Sequence, residues 1–578
     1  MPRISKGHEC DRNSQILPTL RGATFTAPQL TLTLFSIRQA IGRFAIRCRG
    51  SYVANETGMR EFSARLAICL MPTFAAVDIG SNSCRLKIAM VAHGRLKTLH
   101  EDREVTRLGQ GVFANGALDP EDMALTIRVL KRFHRAVQDH AADRVRVVAT
   151  AAMRDSRNSR AFLDWVRSAT GWKAEVISGL EEGRLIHLGI VSNARIASQR
   201  ALLIDLGGGS CELTISISGH IEDMVSLPIG AVRLTQSFLH HDPPKKNELE
   251  QMRGLVQREI ARIQKRIRAA QVQTAIATSG TPAALSGLYQ AKLDEYRPHT
   301  VPHDGVTKIL KELSKRSLEE RRLLPGIGPR RAEIIVAGAV VFAELMDMCS
   351  LPAFRYMPLG LRDGLLAQML ADYSQSSAMK ERVETERRDA ILTVVKHYQA
   401  NLDFAQRIRD LALQLFHRLK SVHRLPPEYA GWLEAAAMLH EVGAYINRSG
   451  RRRHTHYIIA NSELFGYTPV QRRVIAAIAR YVGNSLPAQS DAVMRLVSRA
   501  DQTQVPKAVA LLRLARALDQ SRRGAVGNIQ VQVKQDGLVT LRLTPGSPEG
   551  VELEMWALEQ ERAYFKSVFG RDLLAELR

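Results

Sequence analysis

Ala201-Leu-Leu-Ile-Asp205-Leu-Gly207-Gly208-Gly209-Ser210-Cys211-Glu-Leu213-Thr-Ile215-Ser-Ile217 is the stretch that decides the fold. An apolar run ends in Asp205, three glycines and a serine follow, and an alternating run starts at once. The pattern predicts a strand, a tight turn and a second strand. Glycines leave no Cβ between the turn and an approaching group. Such a turn can offer backbone N–H groups to an anion, with Asp205 placed to hold a cation beside it. The design occurs earlier as Ala75-Ala-Val-Asp78-Ile-Gly80-Ser81-Asn82-Ser83-Cys84-Arg-Leu86-Lys-Ile88. Asp78 matches Asp205, Gly80 matches Gly207, Ser83 matches Ser210 and Cys84 matches Cys211, all at an offset of 127 residues. One recurrence at domain-sized spacing predicts two related lobes facing a single phosphate-bearing ligand.

Between the copies, strands are predicted at Arg144–Thr150 and Lys173–Ile177, with a helix over 119–140 that starts at Asp119-Pro120. The second of these strands runs into Ser178-Gly179-Leu180-Glu181-Glu182-Gly183-Arg184 and a helix. A carboxylate at a strand end is well placed to orient and deprotonate water, which makes Glu181-Glu182 the best general-base candidate. An electrostatic role for both at a helix N-terminus accounts for them equally well. After the second copy comes a meander, Cys211–Ile217 and His220–Leu227, then a charged helix over 247–270. Residues 274–281 read as a strand ending in Ser279-Gly280-Thr281, a third candidate anion-facing turn. The basic residues between Leu310 and Arg331 read mostly as solvated helix surface, with Arg330 or Arg331 the ones to face an anion.

The 578 residues imply about three to five domains. Forty-five per cent hydrophobic and 24% charged residues describe an ordinary globular protein. A net charge of +23 favours polyanionic partners. No basic segment studded with aromatics and no nucleic-acid module is present, so nucleic acid is not the expected partner. Six scattered cysteines without a CxxC pair argue against a thiolate zinc site or a disulfide framework and fit a reducing cytosol. No apolar run reaches the roughly 18 residues of a membrane span. Residues 1–71 are Arg-rich and lack a periodic core; they read as a poorly structured basic extension, with Met59 or Met71 the expected functional start.

Six motifs now stand in order: DIGSNSCRL (78–86), ATAAMRD (149–155), SGLEEGRL (178–185), IDLGGGSCEL (204–213), ATSGT (277–281) and GLRDG (360–364). Together they resemble the exopolyphosphatase / guanosine pentaphosphate phosphatase family, of the actin–sugar kinase–Hsp70 superfamily. The resemblance implies an α/β fold, with two actin-like (ribonuclease H-like) lobes around a phosphate-binding cleft at 72–200 and 201–372. It implies that Glu182 is the catalytic glutamate and that Arg154 lies near the phosphates. Asp78 and Asp205 would lie near Mg²⁺, and Ser81, Asn82, Ser83, Gly207, Gly208, Gly209 and Ser210 would form the phosphate loops, joined by Ser279, Gly280 and Thr281. Gly183 stands where the family usually has Ala and Asp363 where it has Glu, and neither change removes a functional group.

The final third predicts helices over 381–419, 429–439, 469–481 and 505–518, then strands at 528–533, 538–543 and 552–556 and a closing helix over 559–577. Residues 435–446 resemble an HD-like helical domain (380–525), followed by a small α/β tail (526–578). His440-Glu441 replaces the His-Asp pair, Phe404 and Val482 stand where histidines are usual, and Arg516 replaces an Asp, so a metal there is not expected. The expected activity is Mg²⁺-dependent hydrolysis of the terminal phosphate of inorganic polyphosphate, in the cytoplasm, by a homodimer. Hydrolysis of guanosine pentaphosphate by the same residues is the rival. A kinase-like or chaperone-like member, or a catalytically silent polyphosphate or alarmone sensor, is the alternative of another class.

Overall fold

A computed structural model describes residues 71–577, apart from 194–198, 293–298, 330, 374–377, 484, 535–536 and 547–549. The basic extension over 1–70 and Arg330 therefore lie outside the described residues.

The duplicated motif builds two sheets of matching design. The first has the order β3-β2-β1-β4-β5, from Thr73–Ile79 (β1), Ser83–Ala92 (β2), Arg95–Val105 (β3), Arg144–Ala149 (β4) and Glu175–Val176 (β5). Its first three strands are antiparallel neighbours, while β1, β4 and β5 run parallel. The second sheet uses Arg200–Leu206 (β6), Cys211–Ile217 (β7), His220–Leu227 (β8), Thr274–Thr278 (β9), Thr300–Pro302 (β10) and Ala353–Tyr356 (β11). Its order is β10-β11-β9-β6-β7-β8. Reading β6 as β1 and β9 as β4 superposes the two orders, with β10 added at one edge. Every residue of β1 is buried, as an apolar central strand requires.

Each sheet packs its own helices on one face. On the first lie Pro120–Asp139 and Ser159–Thr170. Asp119 starts the former by accepting from the Glu121 and Asp122 N–H groups. On the second lie Lys246–Ala269, His303–Leu313 and Ile335–Met348. The opposite faces of both sheets share one apolar layer, built on helices Gly179–Asn193 and Leu361–Tyr373. A Cβ on Gly364 would sit 1.8 Å from the Leu185 carbonyl oxygen, so the GLRDG glycine allows this helix pair to touch.

The final third contains helices Ala378–His397, Leu402–Arg418, Tyr429–Leu439, Arg451–Asn461, Pro469–Arg480 and Val505–Ala517 around one apolar core. The single helical span expected over 381–419 is broken: the Asn401 side chain accepts from the Phe404 N–H and starts a new helix. The sheet β12-β13-β14 closes the chain, from Val526–Val533 (β12), Val539–Pro545 (β13) and Leu573–Leu577 (β14), with helix Glu552–Phe569 against it. Two expectations are corrected here. Residues 552–556 are helical, because Glu552 and Glu554 favour a first turn and buried Glu554 accepts from the Ser521 N–H. Gly570, at φ 66°, ends that helix and frees 573–577 to pair with β13.

Candidate active site

The two hairpins share one register. Asp78 faces Arg85 on β1 and β2, and Asp205 faces Glu212 on β6 and β7. Gly80 N donates to Ser83 O at 3.3 Å, and Gly207 N to Ser210 O at 3.0 Å, so the turns close alike. Residues directly opposite across paired strands project from the same face. One row therefore runs Arg103, Arg85, Asp78 across β3, β2 and β1. Its counterpart runs Ser226, Glu212, Asp205, Thr278 across β8, β7, β6 and β9. Like charges directly opposite destabilise a strand pair, yet Arg85 meets Arg103 in one row and Asp205 meets Glu212 in the other. Arg103, Arg85 and Asp78 of the first row and Asp205 of the second line one cleft of about 190 Å³.

The acidic side is a trio. Glu182, Asp205 and Glu212 each offer an oxygen, and the three oxygens lie within 4.8 Å of one another. Glu182 arrives from the first turn of helix Gly179–Asn193, which approaches β8 because a Cβ on Gly179 would strike Ser226 Oγ at 2.1 Å. Ser226 donates to Glu212 at 2.8 Å and Thr278 donates to Asp205. Arg154 spans the group, donating to Glu182 at 3.1 Å, Ile177 O at 2.9 Å and Ser210 Oγ at 3.3 Å. Burial pushes the Glu182 carboxyl well above its usual range, the neighbouring Glu212 adds to this, and Arg154 opposes it. Burial, then Asp205, pushes Glu212 up to about 7. Burial likewise raises Asp205 and Asp78. Glu212 Oε2 and Asp78 Oδ1 are buried without a hydrogen-bond partner. Oxygen donors alone, with unsatisfied lone pairs, fit a hard divalent cation.

The opposite side is cationic. Arg85, Arg103, Arg331 and Arg362 line the same cleft. Burial, with Arg103 and Arg85 close by, pulls the Arg331 guanidinium down to about 9. That guanidinium lies against Gly280, where a Cβ would sit 1.9 Å from Nη2. Gly280 opens helix Gly280–Gln290, so Arg331 adds charge to an already positive helix end. Mutually repelling guanidinium groups at a helix N-terminus are an arrangement that a multiply charged oxyanion relieves.

The turns meet at the base of the cleft. A Cβ on Gly208 would be 3.1 Å from Ser81 Cβ, and one on Gly209 would be 2.6 Å from Ala151 Cβ and Phe113 Cζ. Ser81 Oγ accepts from Ala152 N at 3.1 Å, which leaves its proton free to donate. Ser81, Asn82, Ser83, Gly207, Gly208, Gly209, Ser210, Ser279 and Gly280 all line the cleft together with Asp78, Glu182 and Asp205. Thr281 does not line it: its side chain is buried against Gly338.

Comparison with known proteins places this architecture. The model of the Ppx/GppA phosphatase family matches residues 87–373, and that of Ppx/GppA phosphatase domain III matches 387–562. The chain belongs to the Ppx/GppA phosphatase family. An exopolyphosphatase from Cytophaga hutchinsonii is 24% identical, with a TM-score of 0.50 over 53% of this chain and 100% of its own. A Ppx/GppA family member from Aquifex aeolicus is 29% identical, with a TM-score of 0.46 over 53% of this chain and 100% of its own. The two lobes are thus the actin-like fold of Ppx/GppA proteins, and the helical region follows them.

Within this Ppx/GppA chain the Glu181-Glu182 pair divides. Both oxygens of Glu181 are held by Arg184, at 2.8 and 2.9 Å, while Glu182 lines the cleft. Sequence reasoning missed Glu212, Arg85 and Arg103 as site residues. A signal was there: closing the hairpin on the Gly-Gly-Gly-Ser turn puts Glu212 opposite Asp205. In the helical region His440 is buried with Nε2 unpartnered, and Arg451 and Arg522 both pair with Glu441. Among the described residues, the group of three or more His, Cys, Asp or Glu side chains able to hold a metal is Glu182, Asp205 and Glu212. Cys84, Cys211 and Cys349 are buried free thiols. No described helix is long and apolar enough to cross a membrane.

Proposed function

We propose that this chain is an exopolyphosphatase that hydrolyses the terminal phosphate of inorganic polyphosphate with Mg²⁺. The observation that carries the reading is one cleft lined by Arg85, Arg103, Arg331 and Arg362, by Asp78, Glu182 and Asp205 and by both phosphate-loop turns, with Glu212 completing an acidic trio beside Glu182 and Asp205. A chain end is charged at every phosphate, so it uses a cationic wall deeper than one phosphoryl group needs. Asp205 and Glu212 would hold Mg²⁺, with Glu182 beside them. When bound, the ion offsets charge on the phosphate oxygens.

The protein groups then divide the work. The turns at 80–83 and 207–210 hold the terminal phosphoryl group, and Arg85, Arg103 and Arg331 hold the next phosphates. Glu182 orients a water and takes its proton as the water oxygen bonds to phosphorus and the bridging P–O bond breaks. Arg154 keeps the Glu182 carboxylate aimed and, through Ser210, ties it to the phosphate turn. Positioning and charge stabilisation carry most of phosphoryl transfer, so loss of a base costs roughly 10²–10⁴-fold. Cytoplasmic residence and a homodimer belong to the same reading.

Purified protein with Mg²⁺ tests it, given long-chain polyphosphate, guanosine pentaphosphate and ATP with released phosphate measured. Polyphosphate is expected to be cleaved with the highest kcat/KM. A preference for guanosine pentaphosphate favours the nucleotide reading, and binding without release favours a sensor.

A further inference from the structure

Two glutamates of the helical final third reach the helix that carries Glu182. Ser178 caps that helix: its Oγ accepts from Glu181 N at 3.1 Å, and its carbonyl accepts from Glu182 N at 2.9 Å. The Ser178 hydroxyl donates in turn to Glu463 Oε2 at 2.9 Å, across 285 residues of sequence. Glu463 lies in the turn after helix Arg451–Asn461, and Arg472 fixes that turn by donating to Ser462 O at 2.8 Å. On the far side of Glu182, Arg184 is 1% exposed and bonds to Glu181, to Gln368 at 2.9 Å and to Glu386 Oε2 at 2.6 Å. Glu386 belongs to helix Ala378–His397. Burial raises its carboxyl, against the pull of Arg184.

We infer that Glu463 and Glu386 are positioning residues for Glu182, so that the helical third sets the geometry of the cleft. The inference rests on the reading of Glu182 as the base. Ser178, Glu181 and Arg184, on both sides of Glu182 in the sequence, are tied into this network. A buried guanidinium holding two carboxylates fixes its partners rigidly, because any other arrangement leaves a buried charge unpaired. A serine cap whose own hydroxyl is tethered cannot swing away from the helix start. Binding of substrate phosphates is left to the turns and arginines, which touch neither glutamate.

The test is steady-state phosphate release from polyphosphate by full-length Glu386→Ala and Glu463→Ala proteins. A 1 Å misplacement of a catalytic group costs about 10²-fold, so a partly loosened helix start is expected to lower kcat on the order of 10-fold. KM is expected to stay within about twofold, since positioning of the base acts on the chemical step. Glu386→Gln and Glu463→Gln keep an acceptor oxygen and are expected to recover most of kcat. These two also carry the test if either alanine protein fails to fold. Adding Glu463→Ala to Ser178→Ala is expected to cost nothing further, because loss of the Ser178 hydroxyl already removes the group through which Glu463 acts. Wild-type kcat in folded Glu386→Ala and Glu463→Ala, or a loss confined to KM, overturns the inference. Glu182→Gln in the same assay separates the two claims: full activity there refutes the base itself, whereas an inactive Glu182→Gln beside fully active Glu386→Ala and Glu463→Ala refutes only the positioning.

Discussion

Replacing Glu212 by Gln should stabilise the metal-free protein at alkaline pH while weakening the cleft's hold on Mg²⁺. Glu212 is 2% exposed, stands directly opposite Asp205, and has its carboxyl pushed from 4.5 up to about 7, chiefly by burial and then by Asp205. The sign follows from linkage. A carboxyl raised in the folded state adds stability below its unfolded pKa, and that stability is lost as pH rises through the folded one. At 1.36 kcal/mol per pH unit, ionised Glu212 costs the fold about 3 kcal/mol at pH 8 and less than about 1 kcal/mol at pH 5. Glutamine can still accept from Ser226 and removes the charge. Glu212→Gln should therefore gain about 2–3 kcal/mol at pH 8 without Mg²⁺, and little at pH 5. Saturating Mg²⁺ should stabilise the wild type more than the variant at pH 8, because ligand that binds only the folded state adds stability. Urea unfolding at the two pH values, with and without Mg²⁺, reads all four quantities. Destabilisation by Glu212→Gln at pH 8 without Mg²⁺, or a gain independent of pH, would refute the opposed-carboxylate reasoning.

Three further outcomes follow from other parts of the cleft. In Gly280→Ala the new Cβ would lie 1.9 Å from Arg331 Nη2 and displace that guanidinium. Loss of a charge-assisted bond to substrate is worth about 1.5–3 kcal/mol, so KM for polyphosphate should rise roughly 10-fold or more with kcat less affected. Steady-state kinetics showing unchanged KM contradicts this. Two glycines of the turn should differ: Gly207→Ala meets only Ser210 O at 3.4 Å and should be tolerated, whereas Gly209→Ala meets Ala151 and Phe113 at 2.6 Å. Overpacking of that kind costs about 1–3 kcal/mol, and thermal denaturation of both variants compares them. The pH profile should respond to Mg²⁺. Glu182 must be ionised to act as base, and burial with Glu212 beside it raises its carboxyl, so the rate should climb with pH. Bound cation displaces protons, so raising Mg²⁺ should move the acid limb of kcat/KM to lower pH; a limb that stays fixed counts against the assigned ligands.

Much of this was legible in the sequence because the fold is a duplication written in backbone-determining residues. Asp, Gly and Ser at constant offset specified two hairpins, and the same strand order follows in both sheets. The chemistry was less legible where it depends on rows across strands. Arg103 comes from β3, 25 residues after Asp78, and joins the row only through the pairing of β2 with β3. Glu212 lay inside a quoted motif and needed only the hairpin register to be noticed. The two glutamates at 181 and 182 were indistinguishable by spacing; Arg184, Gln368 and Glu386 separate them through contacts made across 184 and 202 residues. At 552–556 a short run alternates like a strand, and burial of Glu554 beside Ser521 decided for helix.

In the proposed mechanism Glu182, held between Arg154 and the acidic pair, activates water against a terminal phosphate. Its most direct test is release of inorganic phosphate from long-chain polyphosphate by wild-type and Glu182→Gln protein, at saturating Mg²⁺ and polyphosphate. Glutamine keeps the size and the acceptor facing Arg154 and loses the basic oxygen. A fall in kcat of about 10²–10⁴-fold is expected, with polyphosphate still bound. Glu182→Gln protein that releases phosphate at the wild-type rate would contradict it.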